Sequence, residues 1–329
     1  MGIKMSNASL DYTVADSKSW VFESTNPMFK QIQNELYQCF WFPDKVSYEQ
    51  DYADFQKKLR PDEQRLLKLT IAEFLLFDSR IQRQLIGDFV NEIENPQVSA
   101  IYTTQAGQEV IHEQSYEDQF RAIAPSEDVH AVLQNPIFEE KIEWYNRYMT
   151  PAPYADPYQG HSHRILIGAI VEYLFFCGKF CLIYWFKTSP SGGPPGVIAA
   201  NEYIARDENN HVKNALAYYH WYQHPLPDHQ VSHLIQEACD LEIRSIRATY
   251  LGDLSIDPSL MERYIQYSAN DLFQRITKST GWLYPDVKVS PCAWMNAMTI
   301  PGKTNFFEAH TTNYKESAIE KTLVTVNTF

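Results

Sequence analysis

The chain has 329 residues, of which 44% are hydrophobic, 14% aromatic and 21% charged, with only 12 glycines. That is ordinary for a soluble globular protein, and so little glycine favours helices over a loop-rich sandwich. A net charge of -13 argues against a nucleic-acid partner, since phosphate binding wants clustered Lys and Arg. The cysteines Cys39, Cys177, Cys181, Cys239 and Cys292 are odd in number, scattered and without a CxxC pair. They read as reduced thiols of a cytoplasmic protein. The N-terminal MGIKMSNASLDYTV lacks the apolar core of a signal peptide, and its match to an acylation motif at Ser6 has no second anchor beside it.

Residues 1–25 read as an N-terminal extension. The first strong helical signal starts at Pro61, has acids in its first turn, and runs through Leu66, Leu67, Ile71, Phe74, Leu75 and Ile81 toward Val90. A second helix is predicted from about Gln97 to Ile123 and closed off by Pro125. A third spans Ile137 to Met149, ending before the proline-rich MTPAPYADPYQG. An apolar helix from about Ser162 to Phe186 follows and is broken by TSPSGGPPG. Three more cover about Val197 to Trp221, Asp228 to Tyr250 and Pro258 to Thr280.

The stretch Ile165 to Phe186 is long enough to cross a bilayer, but Glu172 and Lys179 fall inside it and no second span follows. A helix apolar nearly all round, in a soluble chain, belongs at the centre of a bundle. No membrane partner is expected. No strand alternation and no fixed-period repeat occur. From about Tyr284 the pattern dissolves, and NFFEAHTTNYKESAIEKTLVTVNTF reads as an extended tail. The expected architecture is all-α, with one helical domain over 26–285 and a C-terminal tail over 286–329.

Chemistry concentrates in EVIHEQSY. On a helix, residues three and four apart share a face, so Glu109, His112 and Tyr116 can line one stripe about 10 Å long at about 1.5 Å rise per residue. Glu208 and His211, in YIARDENNHVKNA, repeat the acid-to-histidine spacing. One E-x-x-H is weak evidence of a metal, because both residues are common on solvated faces. Two, both with apolar flanks, weigh more. Asp78 interrupts FLLFDSRIQ, and Glu172 sits in the most apolar helix of the chain. An unpaired buried carboxylate must protonate or find a counter-charge. Lys179, seven residues beyond Glu172, lies about 10 Å up the helix and is too far to pair with it. A shared cation site answers better, since Asp78, Glu109, Glu172 and Glu208 together carry the charge that two divalent ions neutralise. Oxygen ligands with one imidazole per ion suit iron or manganese. The set matches the known ligand pattern of ferritin-like di-iron bundles.

Asp78, E109-V-I-H112, Tyr116, Glu172 and R206-D-E208-N-N-H211 occur in the order found in the small, radical-bearing subunit of class I ribonucleotide reductase, which the chain resembles from Trp41 in CFWFPDKV to its tail. The resemblance implies a ferritin-like helical bundle, a homodimer, and two metal ions held by Asp78, Glu109, His112, Glu172, Glu208 and His211. Fe/Fe is the default pair, with Mn/Fe and Mn/Mn open. It also implies a tyrosyl radical on Tyr116 made by activating dioxygen. Phe176, Phe180 and Ile204 match the apolar pocket around that tyrosine. Phe176 and Phe180 follow Glu172 by one and two helical turns, and Ile204 precedes Glu208 by one. Trp41 and Asp207 match the inner electron and proton relay, with Asp207 expected to accept the free N–H of His112.

In the tail, Tyr314 matches the residue that passes the radical to the large subunit, where ribonucleotides are reduced, and Glu308 matches an interface acid. The acid-poor end SAIEKTLVTVNTF keeps Phe329 and leaves open which large subunit the tail docks to. No Gly-rich phosphate loop is present. The alternatives are a ferritin-like dinuclear-metal oxidase acting on a small apolar substrate, which has no use for Tyr116 or the tail, and a helical storage bundle.

Overall fold

The structure is a computed structural model that describes residues 25–292 and 295, except 94, 151–153, 155, 157 and 251–255. Ten helices of eight residues or more occur among the described residues. They are α1 (Pro27–Gln38), α2 (Asp51–Lys58), α3 (Pro61–Gln84), α4 (Pro96–Ile123), α5 (Pro136–Met149), α6 (Gln159–Ile170), α7 (Phe176–Thr188), α8 (Pro195–Tyr222), α9 (Asp228–Tyr250) and α10 (Pro258–Thr277). Six of them carry proline in their first turn, where its fixed φ suits the helix and its missing N–H costs nothing. Asn26, Asn95, Asn135 and Asp257 each accept a backbone N–H of the turn that follows, satisfying donors that have no partner within the helix.

The long helices lie where periodicity puts them. The differences lie at the ends and in the small pieces. α10 stops at Thr277, because Lys278 turns left-handed at φ 55°, a common way to terminate a helix. α1 and α2 are not among the predicted helices; they are short, 12 and 8 residues, although α1 buries Phe29, Ile32 and Leu36 at helical spacing. The N-terminus of α8 has no cap from its own sequence; Asp51 of α2 supplies one, accepting Gly196 N–H at 2.9 Å and Val197 N–H at 2.8 Å. This close approach also explains Gly196, whose absent Cβ would lie 2.5 Å from Ser47 O.

Four rods form the centre: α3, α4, the α6–α7 rod and α8, with contacts of α3 to α4 and α7, of α4 to α8, and of α8 to α6 and α7. α1 packs on α4, α5 on α6 and α9, and the α9–α10 pair on α7 and the turn before it. The apolar rod Gln159–Thr188 has the length and mean hydropathy, 1.9, of a membrane span, yet 94% of that window is buried inside the bundle. Its outer neighbours replace lipid. The rod is not a continuous α-helix: residues Val171–Phe175 form a π turn, a widening that frequently marks functional sites. A second π turn, Leu85–Phe89, ends α3.

Packing continues beyond residue 285. Val287, Cys292 and Met295 are buried, so the boundary expected at 285 cuts through packed chain; apolar side chains in a segment without periodicity have found the core. Tyr314, Glu308 and Phe329 lie outside the described residues, as does the expected extension up to residue 24. All five cysteines are free thiols, and four of them are buried.

Candidate metal centre

The six expected ligands arrive from four rods: Asp78 from α3, Glu109 and His112 from α4, Glu172 from the π turn, and Glu208 and His211 from α8. All are buried. Ligand atoms of Asp78, Glu109, His112 and Glu208 lie within 4.8 Å of one another, and so do those of Glu109, Glu172, Glu208 and His211. Glu109 and Glu208 belong to both groups. The result is two adjacent cation-sized sites sharing two acids, each with one imidazole.

Both histidines point Nδ1 at the carboxylates. His112 Nδ1 is 2.9 Å from Glu208 Oε1 and 3.3 Å from Glu109 Oε2, and His211 Nδ1 is 3.0 Å from Glu109 Oε1. The outward nitrogens are held separately. His112 Nε2 meets Asp207 Oδ2 at 3.3 Å, and His211 Nε2 meets Gln108 Oε1 at 2.9 Å. Those outer acceptors place the proton on Nε2 and leave each Nδ1 a lone pair directed at oxygen. A lone pair there is repelled by carboxylate unless a proton or a metal ion stands between, and although burial lowers both imidazoles the surrounding carboxylates raise them well above their usual range. Consistent with this, both Asp78 oxygens, both Glu208 oxygens, Glu109 Oε1 and His211 Nδ1 are buried without a hydrogen bond, which is costly for unpaired polar atoms. The donor set therefore fits a pair of hard or intermediate divalent ions, and the buried group is able to hold a dinuclear site.

The electrostatics show the same crowding. Burial, then the charges of Glu208 and Glu109, push the Asp78 carboxyl well above its usual range. Burial also raises Glu172 far up, with the two histidines only partly offsetting it. Burial alone would raise Glu109, but His211 and His112 pull it down to about 2. The lysine considered for Glu172 is engaged elsewhere. Lys179 and Lys141 pair with Glu73 and Glu242 in a second, charge-balanced buried cluster. Glu172 instead accepts from Gln105 Nε2 at 2.7 Å.

Asp207 ties this centre to Trp41. Its Oδ2 accepts Trp41 Nε1–H at 2.9 Å as well as His112 Nε2–H, while its Oδ1 takes Arg206 Nη2–H at 2.9 Å. Trp41 is buried, with its ring 6.4 Å from that of His112.

Tyr116 is fully buried, and its hydroxyl donates not to a carboxylate but to Asn201 Oδ1 at 3.3 Å. Asn201 is itself fixed, donating to Gln119 Oε1 at 2.7 Å and Val197 O at 2.9 Å. The ring that meets Tyr116 is Phe74, stacked at 4.9 Å and 10°. Phe176 and Phe180 pack on Phe74 at 5.3 and 4.7 Å, so they support the tyrosine through it. A π turn lies between Glu172 and Phe176. Ile204 is fully buried. Sequence reasoning missed Phe74, Asn201, Gln105 and Gln108. Phe74 carried a signal, lying one turn before Asp78; the three amides did not, since buried Asn and Gln look like any polar helix residue. A cavity of about 40 Å³, lined by Glu172, Glu208, Cys177, Phe180, Tyr264 and Met295 among others, reaches the acid cluster.

Comparison with known proteins agrees with this geometry. The family profile "Ribonucleotide reductase, small chain" matches residues 19–286. A ribonucleoside-diphosphate reductase small subunit from Plasmodium falciparum is 27% identical over 304 residues, covering 89% of this chain and 88% of its own. Among solved structures, a putative class I ribonucleotide reductase from Bacillus halodurans superposes with a TM-score of 0.73 at 20% identity, over 82% of this chain and 99% of its own. The Rnr4 homodimer of ribonucleotide reductase from Saccharomyces cerevisiae gives 0.69 at 19%, over 83% and 89%. These two likenesses speak for the fold.

Proposed function

This chain belongs to the ribonucleotide reductase small-chain family and is the small subunit of an oxidoreductase; from that premise we propose that it stores an oxidising equivalent as a radical on Tyr116 and exchanges it with a large subunit through Asp207 and Trp41. The observation that carries the reading is the shared oxygen of Asp207, which joins a candidate metal ligand to a buried indole in one hydrogen-bonded unit. Asp78, Glu109, His112, Glu172, Glu208 and His211 would hold the two ions, with iron as the first expectation and manganese open. A reduced metal pair supplies the electrons and Lewis acidity that dioxygen activation requires.

The protein's own groups do the rest. Gln108 and Asp207 orient the two imidazoles. Phe74, Phe176 and Phe180 keep water from the Tyr116 ring, and a phenoxyl lasts only where water and reductants are kept out. Asn201 holds the hydroxyl in one direction. The Asp207 carboxyl accepts the Trp41 N–H and so favours a positive charge on the indole while the N–H stays in place.

The alternative, an oxidase of the same fold, needs room for an organic substrate. Ligand pockets run to roughly 300–1,000 Å³, whereas among the described residues the two cavities that reach the acids are about 40 and about 30 Å³. That space suits dioxygen or a few waters and favours the radical reading. The proposed assembly is a cytoplasmic homodimer whose tail, with Tyr314 and Glu308, docks on the large subunit.

Electron paramagnetic resonance at low temperature after adding Fe(II) and oxygen tests the centre. A tyrosyl signal is expected in the wild type. It should vanish in Tyr116→Phe while two metal ions per chain still bind. A Tyr116→Phe protein that keeps the same signal would remove Tyr116 from the mechanism.

A further inference from the structure

The Tyr116 hydroxyl has one hydrogen bond among the described residues, and its partner cannot return it. Asn201 Nδ2 donates to Val197 O at 2.9 Å and to Gln119 Oε1 at 2.7 Å. A main-chain carbonyl only accepts, so the atom facing Val197 O is the amide nitrogen, and both of its hydrogens are used. Gln119 is held in turn, with Nε2 donating to Ser115 Oγ at 3.2 Å. A second buried hydroxyl at this residue, that of Tyr184, donates to the Asn201 main-chain carbonyl at 3.0 Å. Asn201 Oδ1 is therefore locked toward Tyr116, 3.3 Å from the phenol oxygen, as an acceptor only. Both side chains are fully buried. The arrangement suits a phenol and not a phenoxyl. A phenol gives Oδ1 its hydrogen; a phenoxyl has none to give, and two oxygens then face each other in the core with no proton between them.

We propose that Asn201 is a positioning residue that weights the Tyr116 couple toward the phenol, so that the radical sits at a higher potential than the apolar pocket alone would set. The inference rests on the radical reading above. Oxidation breaks the Tyr116 O–H bond and removes one electron and one proton; both end in water formed from dioxygen, the oxidant of that reading. The bond to Oδ1 is lost in the same step, and reduction restores it. A radical held uphill in this way is a stronger oxidant of the group that takes the equivalent next, and a smaller fraction of it is stored. A core amide kept only for packing would leave the couple unchanged when replaced by an apolar side chain of similar size.

Protein treated with Fe(II) and oxygen, then poised at a fixed potential with a soluble one-electron mediator, gives the ratio of radical to phenol at Tyr116 by electron paramagnetic resonance. That ratio is expected to rise about two- to tenfold in Asn201→Leu, the range one hydrogen bond spans in an equilibrium constant. Asn201→Leu leaves Gln119 Oε1 without its donor in the core, so the double variant Asn201→Leu, Gln119→Leu removes both groups and should show the same rise. A ratio no higher than wild type in both variants overturns the proposal and leaves the stored radical standing. A Tyr116 signal in the variants but not in the wild type keeps the proposal and removes the stored radical from the natural protein. A Tyr116 signal in none of the three removes both. Metal-free protein gives a second readout. The ultraviolet resonance Raman difference between wild type and Tyr116→Phe is expected to show a phenol that donates its hydrogen bond, and a phenol that accepts one, or makes none, overturns the proposal.

Discussion

Individual side chains in this protein act through what fixes them from behind. Gln108 is the partner of His211 Nε2 and so decides where Nδ1 points. Replacing such an outer partner commonly lowers metal affinity about 10–100-fold. Gln108→Leu is expected to fall in that range in an anaerobic Fe(II) or Mn(II) titration, with the helical content unchanged; wild-type affinity would mean that packing alone orients the ring. His163 shows the same principle in a setting without metal. It is buried between Tyr148 and Tyr154, with Tyr154 hydroxyl on Nδ1, and burial pushes its imidazole down to about 4. A histidine whose folded value lies below its unfolded one stabilises the fold above pH of about 6.5 and loses that contribution as pH falls toward 4. The loss amounts to about 3 kcal/mol across this window at 1.36 kcal/mol per pH unit. His163→Gln should flatten this part of the stability–pH curve, and an unaltered slope would assign the acid sensitivity to other groups.

At the scale of elements, the bundle carries two buried charged layers that are solved differently. Around the candidate metal centre the acids outnumber the bases and require cations. One layer away, Glu73 on α3, Lys141 on α5, Lys179 on α7 and Glu242 on α9 balance among themselves. The latter cluster joins the outer helices α5 and α9 to the inner rods. Removing one member strands a charge in the core, which costs about 3–5 kcal/mol. Lys179→Met is expected to lower the urea midpoint accordingly, and adding Glu242→Leu should restore much of the loss, because Glu73 and Lys141 then remain a neutral pair. A single variant no weaker than the double would show that the charges are not coupled. The Asp51 cap on α8 is a second tie of this kind, joining α2 to the helix that carries Glu208 and His211.

For the whole molecule, the acid cluster makes stability conditional. Metal-free protein must hold Asp78 and Glu172 protonated or strained, as their upward shifts indicate. A ligand that binds only the folded state adds about 2.7 kcal/mol when present at a hundred times its dissociation constant. Thermal unfolding should therefore shift upward on adding Fe(II) or Mn(II) without oxygen, and return on adding a chelator. No shift, with metal bound, would mean that the site is not formed by the fold described here.

The sequence by itself determined the all-α class, the centres of the long helices, and the six acids and imidazoles that converge. Helical periodicity and an acid in an apolar run are local signals, and both follow from burial and the 3.6-residue repeat. The tertiary structure alone decided how those residues are held. Asp207 meets Trp41 across 166 residues, and Gln108 meets His211 across 103. Phe74 rather than Phe176 stacks on Tyr116, Asn201 rather than a carboxylate takes its hydroxyl, and a π turn carries Glu172. Each is a choice among partners that are equally plausible in one dimension. It is made by the packing of one rod against another, where a shift of a single residue turns a side chain to a different neighbour.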